Sequence, residues 1–151
     1  MADILRYATG RWSGDLKMGR GSVSTGSGVV EHAPVTFPSR FENGTGSNPE
    51  ELIAAAHASC LSMALAHGLS QEGHTPQSIT TRSTIALRKN ETGFKITRIH
   101  LQVEGIVPGI DEAGFSQAAE AAKENCPVSV LLKPGLESLT LEARLSREAG
   151  G

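Results

Sequence analysis

The chain has 151 residues, a length suited to a single domain covering residues 1–151, since domains run ~100 to 200 residues. Apolar residues make up 38%, yet there are only one Trp, one Tyr and four Phe, so the core must be built from Leu, Ile, Val and many alanines. That favours close packing of elements, or burial shared with a second chain. Lys, Arg, Asp and Glu are scattered and sum to a net charge of -2, which argues against nucleic acid or an anionic membrane as a partner.

The N-terminal stretch MADILRYATG has no basic segment followed by an apolar one, so no secretory signal is visible and a cytoplasmic location is expected. Residues 3–12 (DILRYATGRW) and 20–30 (RGSVSTGSGVV) predict strands or a hairpin, with Gly14 to Gly19 as the turn. Residues 35–41 (VTFPSRF) predict a short strand, placed at an edge because Pro38 has no amide to donate. The loop ENGTGS then leads to the clearest local signal. Asn48 is a good N-cap, Pro49 suits the first helical position, and Glu51 lies three residues past the cap, where a capping-box carboxylate belongs. The helix is expected to reach Gly68 or Gly73. Apolar residues surround it on most sides, so other structure should enclose it. Its apolar run, Leu52 to Ala66, is interrupted by His57, Ser59 and Ser62 and falls short of the ~18 residues of a membrane span.

Ile79, Thr81, Ser83, Ile85 and Leu87 alternate with period two, and after the turn KNETG a partner strand carries Phe94 and Ile96, then Ile99, Leu101 and Val103. The change of phase between Ile96 and Ile99 predicts a bulge. Asp111 caps a second helix over 112–125, which must end near Cys126 because a residue before proline disfavours helical geometry. Leu139, Leu141, Ala143 and Leu145 form a last strand, and the tail SREAGG is expected to fray. The order points to an α+β fold, with helices on one face of a largely antiparallel sheet.

Cys60 and Cys126 are the two cysteines of the chain. In a reducing compartment they are either small buried hydrophobes or carriers of chemistry. Cys60 lies about twelve residues into its helix, beyond the reach of the helix dipole. A free thiol with pKa ~8.5 is a few per cent thiolate at neutral pH, and burial lowers that fraction. A reactive Cys60 therefore needs a cation, each tenfold gain in thiolate costing about 1.4 kcal/mol of differential stabilisation. Arg40 and Arg20 are candidates, with Glu50 to orient the guanidinium because Glu51 serves the cap. Taken singly, Arg40 reads as a solvated loop charge and Glu50 as an ordinary first-turn carboxylate. His57, three residues before Cys60, suggests a Cys-His nucleophile or a metal pair, but no further Cys or His has ligand spacing, so zinc is not expected. His67, His74 and His100 read as surface residues.

The combination NPEELIAAAHASCLSMAL and CPVSVLLK, with RWSGDLKMGRGSVST, RFENGTGSNPEELI and VPGID, resembles the OsmC/Ohr family, and its OsmC branch most. The resemblance covers nearly the whole chain. It implies an intertwined α+β homodimer, with largely antiparallel sheets wrapped around two central helices. It further implies that Cys60 is a peroxidatic thiolate and Cys126 the resolving thiol, and that an arginine held by Glu50 activates Cys60. That arginine maps to Arg40 through RFE; the Ohr branch carries it earlier, nearer Arg20. The implied reaction reduces an organic hydroperoxide to an alcohol, leaves Cys60 as a sulfenic acid, closes a Cys60–Cys126 disulfide and is reset by a dithiol, for which lipoylated proteins are the family's usual donors. No metal or organic cofactor is implied. Competing readings are a Cys60–His57 hydrolase, and a redox sensor or small-ligand binding protein on the same fold. Leu52, Ile53, Leu61, Met63 and Leu65 are expected to line an apolar pocket beside Cys60. Glu50 and Cys60 are ten residues apart in one helix, roughly 15 Å along its axis, so the Glu50 serving a given Cys60 is expected from a partner chain.

Overall fold

The computed structural model describes residues 2–147, in two compact units, Met1–Leu52 and Ile53–Gly151. In the first unit, β1 (Ala8–Ser13), β2 (Arg20–Thr25) and β3 (Ala33–Val35) form an antiparallel meander in that order. The predicted hairpin is present with shorter strands. Its turn is closed by Asp15, whose Oδ1 accepts the Met18 amide at 2.7 Å, and by Gly14 at a φ of 88°, a conformation glycine adopts without steric cost.

The strand expected over residues 35–41 is replaced by a helix, α1 (Phe37–Phe41). β-branched and aromatic residues favour a strand here, but Thr36 and Ser39 form a reciprocal capping box and Pro38 lies in the first turn. Capping and the preset φ of proline override the propensity. Ser39 Oγ also donates to the Ser47 carbonyl at 2.7 Å, and the Asn48 amide donates to the Ser39 carbonyl at 3.1 Å. α1 is thereby tied to the start of α2 (Pro49–Gln71). Asn48 caps α2 through the Glu51 amide at 2.7 Å, as expected, while the Glu51 carboxylate accepts the Ser47 hydroxyl at 2.9 Å.

The second unit contains the rest of α2 and a sheet ordered β4 (Ser78–Asn90), β5 (Gly93–Ile106), β6 (Ser138–Leu145). β4 and β5 pair antiparallel, and Ala86 faces Arg98 while Leu87 faces Ile96, so Thr97 is the extra residue of a bulge. The predicted change of phase is thus located. β6 pairs parallel to β5, because the chain between them is a crossover through α3 (Glu112–Asn125) and α4 (Pro127–Leu132). The result is an α+β fold. The residues Glu148–Gly151 of the tail expected to fray lie outside the described residues.

The core of this unit explains where both cysteines sit. His57, Leu61, Leu65 and Leu69 recur every four residues along α2 and are all buried. On α3, Phe115, Ala119, Ala122 and then Cys126 form a second buried stripe at spacings of four, three and four. Both stripes pack with Ile99, Leu101 and Val103 of β5. The remaining surface of α2 is only partly enclosed, since Ala56, Ser59 and Met63 are exposed. α2 is long and apolar enough to cross a membrane by length and composition, but its leucines are the centre of this core.

Candidate active site

Two clusters carry the candidate residues. In the first unit, Arg40 projects from the last turn of α1 and Glu50 from the first turn of α2. The Arg40 guanidinium donates through Nε to Glu50 Oε1 at 3.0 Å and Oε2 at 3.3 Å, and through Nη2 to Oε1 at 2.8 Å. Such charge-assisted, forked bonds fix the plane as well as the position of the guanidinium. The Glu50 side chain is 10% exposed against 34% for Arg40, so the carboxylate is the anchored partner and the cation keeps an open side. The Arg40 Cζ also lies 5.1 Å from the centroid of the Phe41 ring. Arg20, the reserve candidate, is exposed at the start of β2. Arg40 is the arginine brought to Glu50.

In the second unit the two sulfurs face each other. The Cys126 thiol donates to Cys60 Sγ at 2.9 Å, across 66 positions of sequence. Both are free thiols, Cys126 fully buried and Cys60 partly so. Cys126 gets there because Pro127 forces it out of helical geometry: its ψ of 125° closes α3 and opens α4, for which it is the N-cap. The predicted end of α3 is found, whereas the short helix that follows is not in the sequence reading. Burial pushes the Cys60 thiol up, as does Cys126, to whose sulfur a protonated Cys60 can donate in turn and beside which a second negative charge is disfavoured; the Val128 amide, donating to the Cys60 sulfur, pulls it down. Within this unit, therefore, the sum opposes the thiolate, and activation requires a further cation.

His57 does not pair with Cys60. Its Nε2 is 2.7 Å from Ser129 Oγ and its Nδ1 has no hydrogen-bond partner among the described residues. Burial lowers its pKa, so the ring is held neutral. The Cys60–His57 hydrolase reading loses its base. His67 is exposed and His100 keeps 42% of its side chain exposed, as read from sequence, whereas His74 is half-buried; His100 Nδ1 lies 2.7 Å from Thr140 Oγ1. Leu61 and Leu65 are at 0% and 1% exposure inside the core, which removes them from the pocket expected beside Cys60: their stripe faces β5. Among the described residues no group of three or more His, Cys, Asp or Glu is placed to hold a metal ion.

The sequence pattern of OsmC-like proteins matches residues 42–140. The chain is 49% identical over 142 residues to the peroxiredoxin OsmC of Escherichia coli (strain K12), a match spanning 94% of this chain and 97% of that one. The chain belongs to the OsmC family. It is also 32% identical over 111 residues to the organic hydroperoxide resistance protein OhrB of Bacillus subtilis (strain 168), with 72% and 79% of the two chains covered. The crystal structure of Bacillus subtilis OhrB aligns with a TM-score of 0.71 at 26% identity, over 91% of this chain and 97% of that one. An OsmC-like protein from Mycoplasma pneumoniae aligns with a TM-score of 0.73 over 97% and 100%, at 14% identity, a likeness of fold alone.

In this OsmC-family chain, sequence reasoning named both cysteines, Arg40 and Glu50, but missed Ser129 and Val128. Both lie in the first turns of α4. The available signal was the four-residue spacing of His57 with three leucines, which marks that histidine as facing the core and so in need of a buried polar partner.

Proposed function

We propose that the protein is a thiol-dependent peroxidase that reduces organic hydroperoxides to alcohols through Cys60, with Cys126 as the resolving thiol. The observation that carries this reading is the 2.9 Å approach of the two sulfurs, in a family whose 49% identical member is called a peroxiredoxin. The Cys60 thiolate attacks the terminal oxygen of the hydroperoxide. The O–O bond breaks, the alkoxide takes a proton and leaves as the alcohol, and Cys60 becomes a sulfenic acid. Cys126 then displaces water to form the Cys60–Cys126 disulfide, which an external dithiol such as a lipoylated protein reduces. No metal or organic cofactor is needed for these steps.

Arg40, held by Glu50, supplies the cation that stabilises the Cys60 thiolate. α2 is uninterrupted from Pro49 to Gln71, so Glu50 and Cys60 of one chain are separated by roughly 15 Å of helix. The exposed Ala56, Ser59 and Met63 suit helix-to-helix packing in a homodimer. In that dimer the Arg40–Glu50 pair of one subunit serves the partner subunit's Cys60, and closed two-fold symmetry makes two equivalent sites. The OsmC-like match runs across the boundary between the two units, which supports treating residues 1–151 as one functional domain.

The test is a dithiol-coupled assay of the wild-type protein and Cys60→Ser with cumene hydroperoxide and hydrogen peroxide. Wild type should consume the organic substrate faster, since each substrate methylene buried beside the thiolate adds about 0.8 kcal/mol, and Cys60→Ser should consume neither. Activity retained in Cys60→Ser would exclude Cys60 as the peroxidatic residue. Equal rates on the two substrates would exclude the organic preference.

A further inference from the structure

The His57–Ser129 couple is a buried polar pair that the peroxidase steps do not use. His57 is 0% exposed and Ser129 1%, and the 2.7 Å bond joins α2 to α4 across 72 positions of sequence. The proton belongs on Nε2, donated to Ser129 Oγ. Placed on Nδ1, it would leave a buried N–H unpaired, a costlier defect than the unpaired lone pair that remains. A leucine would continue the Leu61, Leu65, Leu69 stripe without burying any polar atom. A buried polar pair in its place fixes one relative position of two elements, where apolar packing tolerates several.

What is fixed is the start of α4. This helix has six residues, and Cys126, its N-cap, makes no side-chain capping bond, so it has little stability of its own. Its first turn nevertheless supplies Cys60 with two contacts, the Cys126 thiol at 2.9 Å and the Val128 amide. Ser129 follows directly.

We propose that His57 is a positioning residue for the resolving thiol: by gripping Ser129 it holds the first turn of α4 on α2 and keeps Cys126 against Cys60. The inference rests on the Cys60–Cys126 disulfide chemistry proposed above. It predicts that the grip sets the effective concentration of one thiol at the other, and therefore the equilibrium between dithiol and disulfide. No peroxide is needed to read that equilibrium.

The experiment equilibrates the full-length protein in dithiothreitol redox buffers, where the two thiols pass two electrons and two protons to the oxidised reagent, and follows the disulfide by alkylation and mass spectrometry. Ser129→Ala and His57→Leu should each lower the effective concentration about tenfold, moving the midpoint some 30 mV to more positive potential. His57→Gln, whose side-chain amide nitrogen can stand in for Nε2 and donate to Ser129, should keep the midpoint close to the wild-type value. A general loosening of the core would not be rescued in that way. Midpoints of Ser129→Ala and His57→Leu indistinguishable from wild type, with the disulfide formed in each, would overturn the positioning role and leave the peroxidase reading standing. Failure of the wild-type chain to form any Cys60–Cys126 disulfide would overturn the resolving step and this inference together, whereas the expected shifts in Ser129→Ala and His57→Leu, found in a protein without hydroperoxide turnover, would count against the peroxidase reading alone.

Discussion

A mixed dimer tests where the Arg40–Glu50 pair acts. One subunit carries Glu50→Gln and the other Cys60→Ser, with different affinity tags so that the heterodimer is purified from both homodimers. Three hydrogen bonds tie the guanidinium to Glu50. A glutamine oxygen at the Oε1 position can still accept two of the three, but the bond to Oε2 is lost and the two that remain lose the carboxylate charge that strengthens them. Bonds to charged groups contribute about 1.5–3 kcal/mol, which sets the expected loss in kcat/KM for the Glu50→Gln homodimer at roughly 10- to 150-fold. Folding should suffer less, because Arg40 is 34% exposed and water can solvate the released cation; about 1 kcal/mol or below is expected. Helix geometry puts roughly 15 Å between Glu50 and Cys60 of one chain, so each Cys60 should draw on the partner subunit. In the heterodimer the intact Cys60 then faces an intact pair, and about half of wild-type activity should survive. The assay is the initial rate of cumene hydroperoxide consumption at saturating dithiol, per dimer. A heterodimer no more active than the Glu50→Gln homodimer would refute the reasoning, since it would mean that Glu50 serves the Cys60 of its own chain.

Replacing Cys126 with Ser should leave the first, single-turnover reaction of reduced Cys60 with peroxide intact, while mass spectrometry finds Cys60 accumulating as sulfinic or sulfonic acid at excess peroxide; disulfides linking two different chains in the wild type would contradict the assignment of Cys126. A second outcome concerns pH. Burial lowers the pKa of His57 in the folded state below its ordinary 6.5, so between those two values the unfolded chain binds more protons than the folded one. Stability from this residue is then complete above about pH 6.5 and declines as the pH falls through that window. Thermal melts should accordingly show a larger drop from about pH 7 to about pH 5.5 in wild type than in His57→Gln, and parallel curves would show that His57 is not held neutral by burial.

The start of α2 was legible because its determinants are adjacent in sequence: Asn48 accepts from the Glu51 amide three residues on. The bulge was legible for a similar reason, since one extra residue, Thr97, shifts the alternation that the eye follows from Ile96 to Ile99. α1 was misread because a five-residue segment offers no periodicity, and its helical form rests on a cap at Thr36 and on bonds from Ser39 and Asn48 that connect residues eight and nine apart. The parallel pairing of β6 with β5 depends on a crossover whose second helix, α4, was not foreseen. That omission has a chemical consequence. Without α4, Cys126 reads as a thiol on a chain turn rather than one locked in a helix. With it, Cys126 ends one buried stripe and caps the next helix, and its approach to Cys60 is part of the packed core. Residue types identified the thiols, but their proximity follows from contacts 66 and 72 positions apart. Such contacts leave no local pattern beyond the polar residue at the head of a leucine stripe. A core-facing histidine in a cysteine-bearing helix is therefore a reason to look for the segment it holds, before it is assigned a role as base or ligand.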